Sequence, residues 1–224
     1  MSTGKHILVI VTSHDRIDAD HPTGLWFDEF SAPYTLFRQQ GYEVSVASPR
    51  GGDTPIDPKS LDGYADTEEN RAARAALSGT KALDQSVNSG DFDALFFPGG
   101  HGTMFDLPDN AQVKRLIMEF TAAGKPVASV CHGPSCFAKI LLDDGTPFVK
   151  GRRLTAFTDS EERAVELDGL MPFLLESRLR ELGAEFAAGD DWSDNVVVDG
   201  SLVTGQNPQS SAGAARAVIE LLGA

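Results

Sequence analysis

Of the two cysteines in the chain, at positions 131 and 136, only the first stands where a thiol can do chemistry. In Pro126-Val127-Ala128-Ser129-Val130-Cys131-His132-Gly133-Pro134-Ser135 an apolar run stops at the cysteine. A pattern that reads as helical then resumes through Phe137, Ile140 and Leu141. A nucleophile at such a strand-to-helix turn is lifted clear of the sheet. There it meets the free N–H groups and the positive end of the helix dipole, both of which favour the reactive thiolate. His132 adds an ionisable imidazole, and Gly133 leaves room for close backbone approach. From this placement Cys131 is expected to hold a strained backbone and a pKa below that of a free thiol. The bland alternative is a small buried core residue, which is how Cys136 is read. Residues five apart on a helix turn away from each other, so no disulfide is expected between the two.

The second chemical segment is Phe97-Pro98-Gly99-Gly100-His101-Gly102-Thr103. Glycines after a buried strand suggest backbone N–H groups presented to an oxyanion, with Gly99, Gly100 and His101 as candidates together with Gly133. No Gly-Lys-Ser/Thr follows, and the spacing does not fit a dinucleotide-binding turn. Carboxylates come next. Glu29 lies in the most aromatic helical stretch, where a buried acid needs a task or a partner, and Asp28 beside it competes. Glu161 and Glu162, in Thr158-Asp159-Ser160-Glu161-Glu162, can orient a histidine as the third member of a triad. The same stretch also reads as a helix cap with acidic first-turn residues. His14, Asp15, Asp18, Asp20 and His21 crowd one loop, but their spacing matches no zinc or calcium pattern, and no metal is expected.

These residues need a scaffold, and the apolar pattern supplies one. His6–Ser13, Tyr42–Ser48, Phe92–Phe97 and Pro126–Val130 read as strands, three of them apolar enough to be buried on both faces. Helices are expected at 26–40, 66–77, 110–123, 171–182 and 210–222, with strand-like pieces at 184–188, 195–199 and 201–204. The alternation argues for an α/β domain, a mainly parallel sheet with helices on both faces. It is read as one domain over 1–224, with an insertion at about 50–90, a surface loop within it at 53–65, and a lid at about 145–180.

Composition narrows the partners. With 33 acidic against 19 basic residues, the net charge is -14, which disfavours nucleic acid and anionic membranes. No stretch approaches the ~18 apolar residues of a membrane span. Ile7–Val11 is too short for a signal peptide, and a reducing, cytoplasmic setting is expected.

Taken together, Cys131-His-Gly-Pro, Phe97-Pro-Gly-Gly-His-Gly, Thr155-Ala-Phe-Thr-Asp and Val203-Thr-Gly-Gln-Asn-Pro resemble the ThiJ/PfpI superfamily. Trp26-Phe-Asp-Glu-Phe-Ser-Ala-Pro-Tyr and Ala47-Ser-Pro-Arg-Gly-Gly are similar to its branch of heat-shock-type chaperones and glutathione-independent glyoxalases. The resemblance implies a flavodoxin-like three-layer sandwich and a homodimer. It implies a Cys131–His132–Glu162 triad, with Glu161 as the fallback acid, Glu29 touching the thiol, and an oxyanion hole of N–H groups near Gly100 and His132. The implied substrate is a small reactive carbonyl, methylglyoxal, isomerised to lactate through a cysteine hemithioacetal with no cofactor. A holdase chaperone, a protein deglycase and a cysteine peptidase are the alternatives. Glutaminase chemistry is not expected, because relatives of that kind carry Cys-x-Gly-x-Gln whereas His-Gly-Pro-Ser follows Cys131.

Overall fold

The computed structural model describes residues 4–223. Strand β1 (His6–Ile10) sends alternate side chains to opposite faces. Ile7 and Val9 join one apolar cluster, Leu8 and Ile10 the other. A strand is apolar on both faces only where both are covered, and the chain supplies the cover in alternation. Next come α1 (Phe27–Gln39), β2 (Glu43–Ser48), α2 (Glu68–Ala76), β3 (Lys81–Ala82), β4 (Ala94–Phe97), α3 (Thr103–Asp106), α4 (Ala111–Ala122) and β5 (Val127–Val130). They are followed by β6 (Arg153–Leu154), α5 (Asp159–Ala164), α6 (Leu175–Glu181), β7 (Glu185–Phe186), β8 (Val196–Asp199), β9 (Leu202–Gly205) and α7 (Ser211–Gly223).

Seven strands form one sheet in the order β3-β2-β1-β4-β5-β9-β8, parallel throughout except that β8 runs antiparallel to β9. On one face Phe27, Phe30 and Phe37 of α1, with Ala214, Ala215 and Val218 of α7, cover Ile7, Val9, Phe96, Ala128 and Val130. On the other, Val113, Leu116, Ile117 and Phe120 of α4 cover Leu8, Ile10, Leu95, Phe97 and Val127. The result is the three-layer α/β sandwich that the alternation of patterns predicts. The pair β6 and β7 forms a separate two-stranded sheet on the same side as α6.

Three local expectations need correction. The stretch after Cys131 is not a full helix: a five-residue 3-10 turn, Gly133–Phe137, is all that forms. Phe137 and Ile140 are core residues of an irregular segment, and Leu141, bridged to Pro147, is exposed. The stretch 53–65 is no free surface loop, because Ile56 pairs with Leu25 and buried Asp57 accepts hydrogen bonds from Thr23 and the Lys59 N–H. The helix expected from Met171 begins only at Leu175. Met171 precedes Pro172, and a residue before proline avoids the helical region.

The turn after β4 sets the site. Gly100 has φ +92°, and a Cβ there would lie 2.2 Å from the Gly24 carbonyl oxygen and 2.5 Å from the Trp26 nitrogen. The turn is thereby wedged against the chain that enters α1, and the Trp26 N–H donates to the Gly99 carbonyl. Gly100→Ala should destabilise by about 2 kcal/mol or more, adding overlap to backbone strain. Its Tm should fall by about 4–8 °C. Gly124, at φ +67° with open space around it, is the control, and Gly124→Ala should cost less. Calorimetry showing the two variants equally stable would refute this account of the turn.

Candidate active site

Cys131 caps the carboxyl end of β5, and it is one of the few residues other than glycine with positive φ, at 58°. Such a conformation costs about 1–3 kcal/mol and persists only where the surroundings hold it. Here both backbone groups are held: the Cys131 N–H donates to the Gly205 carbonyl at 3.0 Å, and its carbonyl accepts from the Phe157 N–H at 2.9 Å. The end of β9 and the segment before α5 therefore fix the bend from two sides.

The side chains then converge. The Cys131 Sγ lies 3.3 Å from the His132 Nδ1, and the His132 Nε2 lies 2.7 Å from the Glu162 Oε2. Glu162 is ionised: burial pushes its pKa up, but His132, together with hydrogen bonds from His101 and His132, holds it well below the usual range. Burial, and then the neighbouring His101, lower the pKa of His132, against the pull of Glu162. A neutral His132 next to a carboxylate donates its Nε2–H to that carboxylate, which leaves the Nδ1 lone pair facing the thiol.

Glu162 serves a second imidazole. The Nε2 of His101 is 2.8 Å from its Oε1, and the His101 and His132 rings lie 4.0 Å apart. These two nitrogens and the carboxylate put donor atoms within 4.8 Å of one another. The distances are those of two N–H donors on the two oxygens of one carboxylate, and we assign them no metal. The residues of the 14–21 loop have other uses. His14 stacks on Phe105, and Asp18 accepts from the N–H groups of Asp20 and His21 and from the His21 ring.

Glu161 and Glu162, adjacent in sequence, have opposite employment. Glu161 closes the capping box of α5 with Thr158 and accepts from the Trp192 N–H, the Asn207 amide and the Gln206 amide. It is a structural tie, and the imidazoles go to Glu162. Asp28 is exposed, while Glu29 is fully buried.

Glu29 accepts the Gly99 N–H on Oε2 at 2.7 Å. Its Oε1 is buried and has no hydrogen-bond partner among the described residues. Burial raises the Glu29 pKa to about 8, against the effects of Cys131 and the Gly99 N–H. Burial likewise pushes the Cys131 thiol well up, and Glu29 adds to it. The carboxyl and the thiol therefore act on each other electrostatically, although the geometry is that of proximity and not of a formed hydrogen bond. The expectation of a low-pKa thiol fails in this arrangement. Only a short 3-10 turn stands where a helix dipole was expected, and burial outweighs what it supplies.

The oxyanion candidates divide. The Gly99 N–H is committed to Glu29, and Gly133 faces the Phe97 carbonyl and the Ser129 hydroxyl, 2.4 and 2.5 Å from where a Cβ would sit. Neither lies on the wall of the cavity over the thiol. Gly100 and His132 do; the Gly100 N–H has no protein acceptor among the described residues, and the His132 N–H lies by the Cys131 sulfur, whose ionised form it favours. His101 is on the wall too, but its Nε2 is held by Glu162. That cavity measures about 50 Å³ and is also lined by Trp26, Phe157, Val165 and Trp192, none of which the sequence marks as a site residue. An outer cavity of about 160 Å³ adjoins it, sharing Trp26, His101 and Val165.

The sequence profile of the DJ-1/PfpI family matches residues 28–221. The glutathione-independent glyoxalase hsp3101 of Schizosaccharomyces pombe is 34% identical, the match covering 98% of this chain and 96% of that protein. The glutathione-independent glyoxalase HSP31 of Saccharomyces cerevisiae is 30% identical, covering 92% of this chain and 93% of its own. The crystal structure of glyoxalase III from Candida albicans has a TM-score of 0.87 at 28% identity, covering 96% of each chain.

Two outcomes follow from this electrostatic arrangement. Cys131 borders the cavity and Cys136 does not, so iodoacetamide should label Cys131 first. Glu29→Gln replaces a carboxyl that is already protonated at neutral pH with a neutral amide, so it should label at close to the wild-type rate there. Mass spectrometry showing Cys136 labelled first, or a tenfold slower variant, would contradict this. The second concerns stability. Native Glu29 keeps its proton up to about pH 8, whereas the unfolded chain loses it near the ordinary carboxyl value. Unfolding then releases a proton, and this contribution to stability falls as pH rises through that window. Relative to Glu29→Gln, the wild type should lose about 2 kcal/mol between pH 6.5 and 8 in urea titrations. A constant difference would mean that Glu29 is already ionised.

Proposed function

The chain belongs to the DJ-1/PfpI family, and from that premise we propose that it is a glutathione-independent glyoxalase, a cysteine-dependent lyase turning methylglyoxal into lactate. The observation that carries the proposal is the Cys131 thiol, lifted on a left-handed backbone against His132, whose far nitrogen rests on Glu162. The size of the cavity supports a small substrate. An ordered water needs about 10–15 Å³, so about 50 Å³ takes roughly three to five heavy atoms and no peptide.

The residues then divide the steps. Once the pair has lost its first proton, Glu29 and Cys131 share the other, and the thiolate with a protonated Glu29 is the attacking form. The sulfur adds to the aldehyde carbon, the oxygen turns toward the N–H groups of Gly100 and His132, and it takes the proton from Glu29. Glu29, now ionised, removes the hydrogen of that carbon, and the electron pair forms an enediolate. Return of the proton to the neighbouring carbon gives a thioester of lactate. His132, backed by Glu162, activates the water that hydrolyses it and returns a proton to sulfur. No external reductant or thiol enters. A homodimer and a cytoplasmic setting are part of the same proposal, but no step depends on them.

Methylglyoxal supplied without any added thiol should be consumed with equimolar lactate. Cys131→Ala should lower kcat/KM by at least ~10³, and Glu162→Gln by ~10², by removing the negative charge that supports His132. A wild type without turnover, or a Cys131→Ala variant that retains it, would exclude the proposal.

A further inference from the structure

His101 has one nitrogen engaged and one free. Its Nε2 donates to the Glu162 Oε1, and its Nδ1 has no hydrogen-bond partner among the described residues. His132 differs, having Nδ1 against the thiol and Nε2 on the same carboxylate. The ring of His101 is buried, 4.0 Å from that of His132, and lies in the walls of both the cavity over the thiol and the larger one outside it. Among the side chains on the wall of the inner cavity, only those of Cys131, His132 and His101 carry an acid–base group. Glu162 fixes the tautomer of His101 as it does that of His132, so the Nδ1 of His101 carries a lone pair beside the space that substrate must occupy.

The isomerisation has a second proton to move, and His101 offers a nitrogen for it that is not engaged with the thiol as that of His132 is. When the aldehyde carbon loses its hydrogen, negative charge collects on the second oxygen, the former ketone, while the first oxygen still bears its proton. The thioester forms only when the reverse holds. In a cis-enediolate the two oxygens lie side by side, within reach of one nitrogen. Resting on the glyoxalase reading, we propose that His101 is a second acid–base catalyst, its Nδ1 taking the proton of the first oxygen and delivering it to the second. The charge then sits on the first oxygen, whose collapse to the thioester carbonyl accompanies return of the carbon-bound proton to the second carbon. One carbon is oxidised and its neighbour reduced, the two protons have each moved by one atom, and His101 is restored. The transient imidazolium faces the ionised Glu162, which stabilises it without a change of geometry.

Glutamine separates this role from one of merely holding Glu162. In His101→Gln the amide places an N–H where Nε2 stood but has no basic nitrogen. The expected result is a kcat lowered by ~10², a reaction less sensitive to deuterium on the aldehyde carbon, and iodoacetamide labelling of Cys131 within about threefold of wild type. His101→Ala is the second variant: added imidazole should restore its turnover. A His101→Gln enzyme at wild-type rate, one in which labelling and turnover fall together, or an Ala variant that imidazole leaves unchanged would overturn the relay. A wild type inert to methylglyoxal removes the glyoxalase reading and the relay with it, whereas an active wild type with an unimpaired Gln variant removes the relay alone.

Discussion

Two acidic groups buried side by side, with no cation between them, cannot both be ionised. The Glu29 carboxyl and the Cys131 thiol are such a pair, burial raising the pKa of both, and most features of the site follow from the one proton left between them once the first is lost. Trp26, Phe157 and Trp192 line the cavity over the thiol. The remaining interactions set which group keeps the proton. The Gly99 N–H steadies an ionised Glu29, and the His132 N–H steadies the thiolate. The two descriptions differ by one proton transfer, so the thiol is masked at rest and available when an electrophile enters.

The pair is possible because the fold handles three buried glutamates differently. Glu29 stays protonable because it is given one N–H donor and a dry surrounding. Glu162 receives two imidazoles and stays ionised. Glu161 is saturated by backbone and amide donors and takes no part in the chemistry. Burial alone would push the Glu162 pKa up, and both imidazoles act against it. The second imidazole thus has an electrostatic effect as well as the catalytic one proposed for it. The strained Cys131 is likewise a product of its neighbours: β9 and the segment before α5 use up its backbone groups, so the bend is held without help from a long helix.

Much of this was legible in the residues. The double-sided apolar runs at β1, β4 and β5 can be read only as central strands between helical layers, and an apolar run ending in Cys131-His132 marks the carboxyl edge where ligand sites gather. Thr158-x-x-Glu161 is a capping box by spacing, which leaves Glu162 free for histidine, and the choice between them was available from that signal. What was not legible depends on contacts distant in sequence. The helical period through Leu141 came from core positions on an irregular segment. The Gly99 N–H was free in the pattern but is taken by a carboxylate 70 residues away. His101 was identified through its glycines, and nothing in its own segment says that its ring leans on Glu162. The thiol pKa was misjudged because a helix dipole was counted where a 3-10 turn forms, and burial was left out.

The shared proton can be observed directly. An infrared difference spectrum between wild type and Glu29→Gln isolates the Glu29 carboxyl, and one between wild type and Cys131→Ser isolates the thiol stretch. The account predicts a protonated carboxyl band from Glu29 near pH 6 that fades as the pH passes about 8. A shift of that band on replacing Cys131 would show that the two groups are coupled. A Glu29 that is fully ionised at pH 6, with a spectrum unaffected by the loss of Cys131, would contradict it.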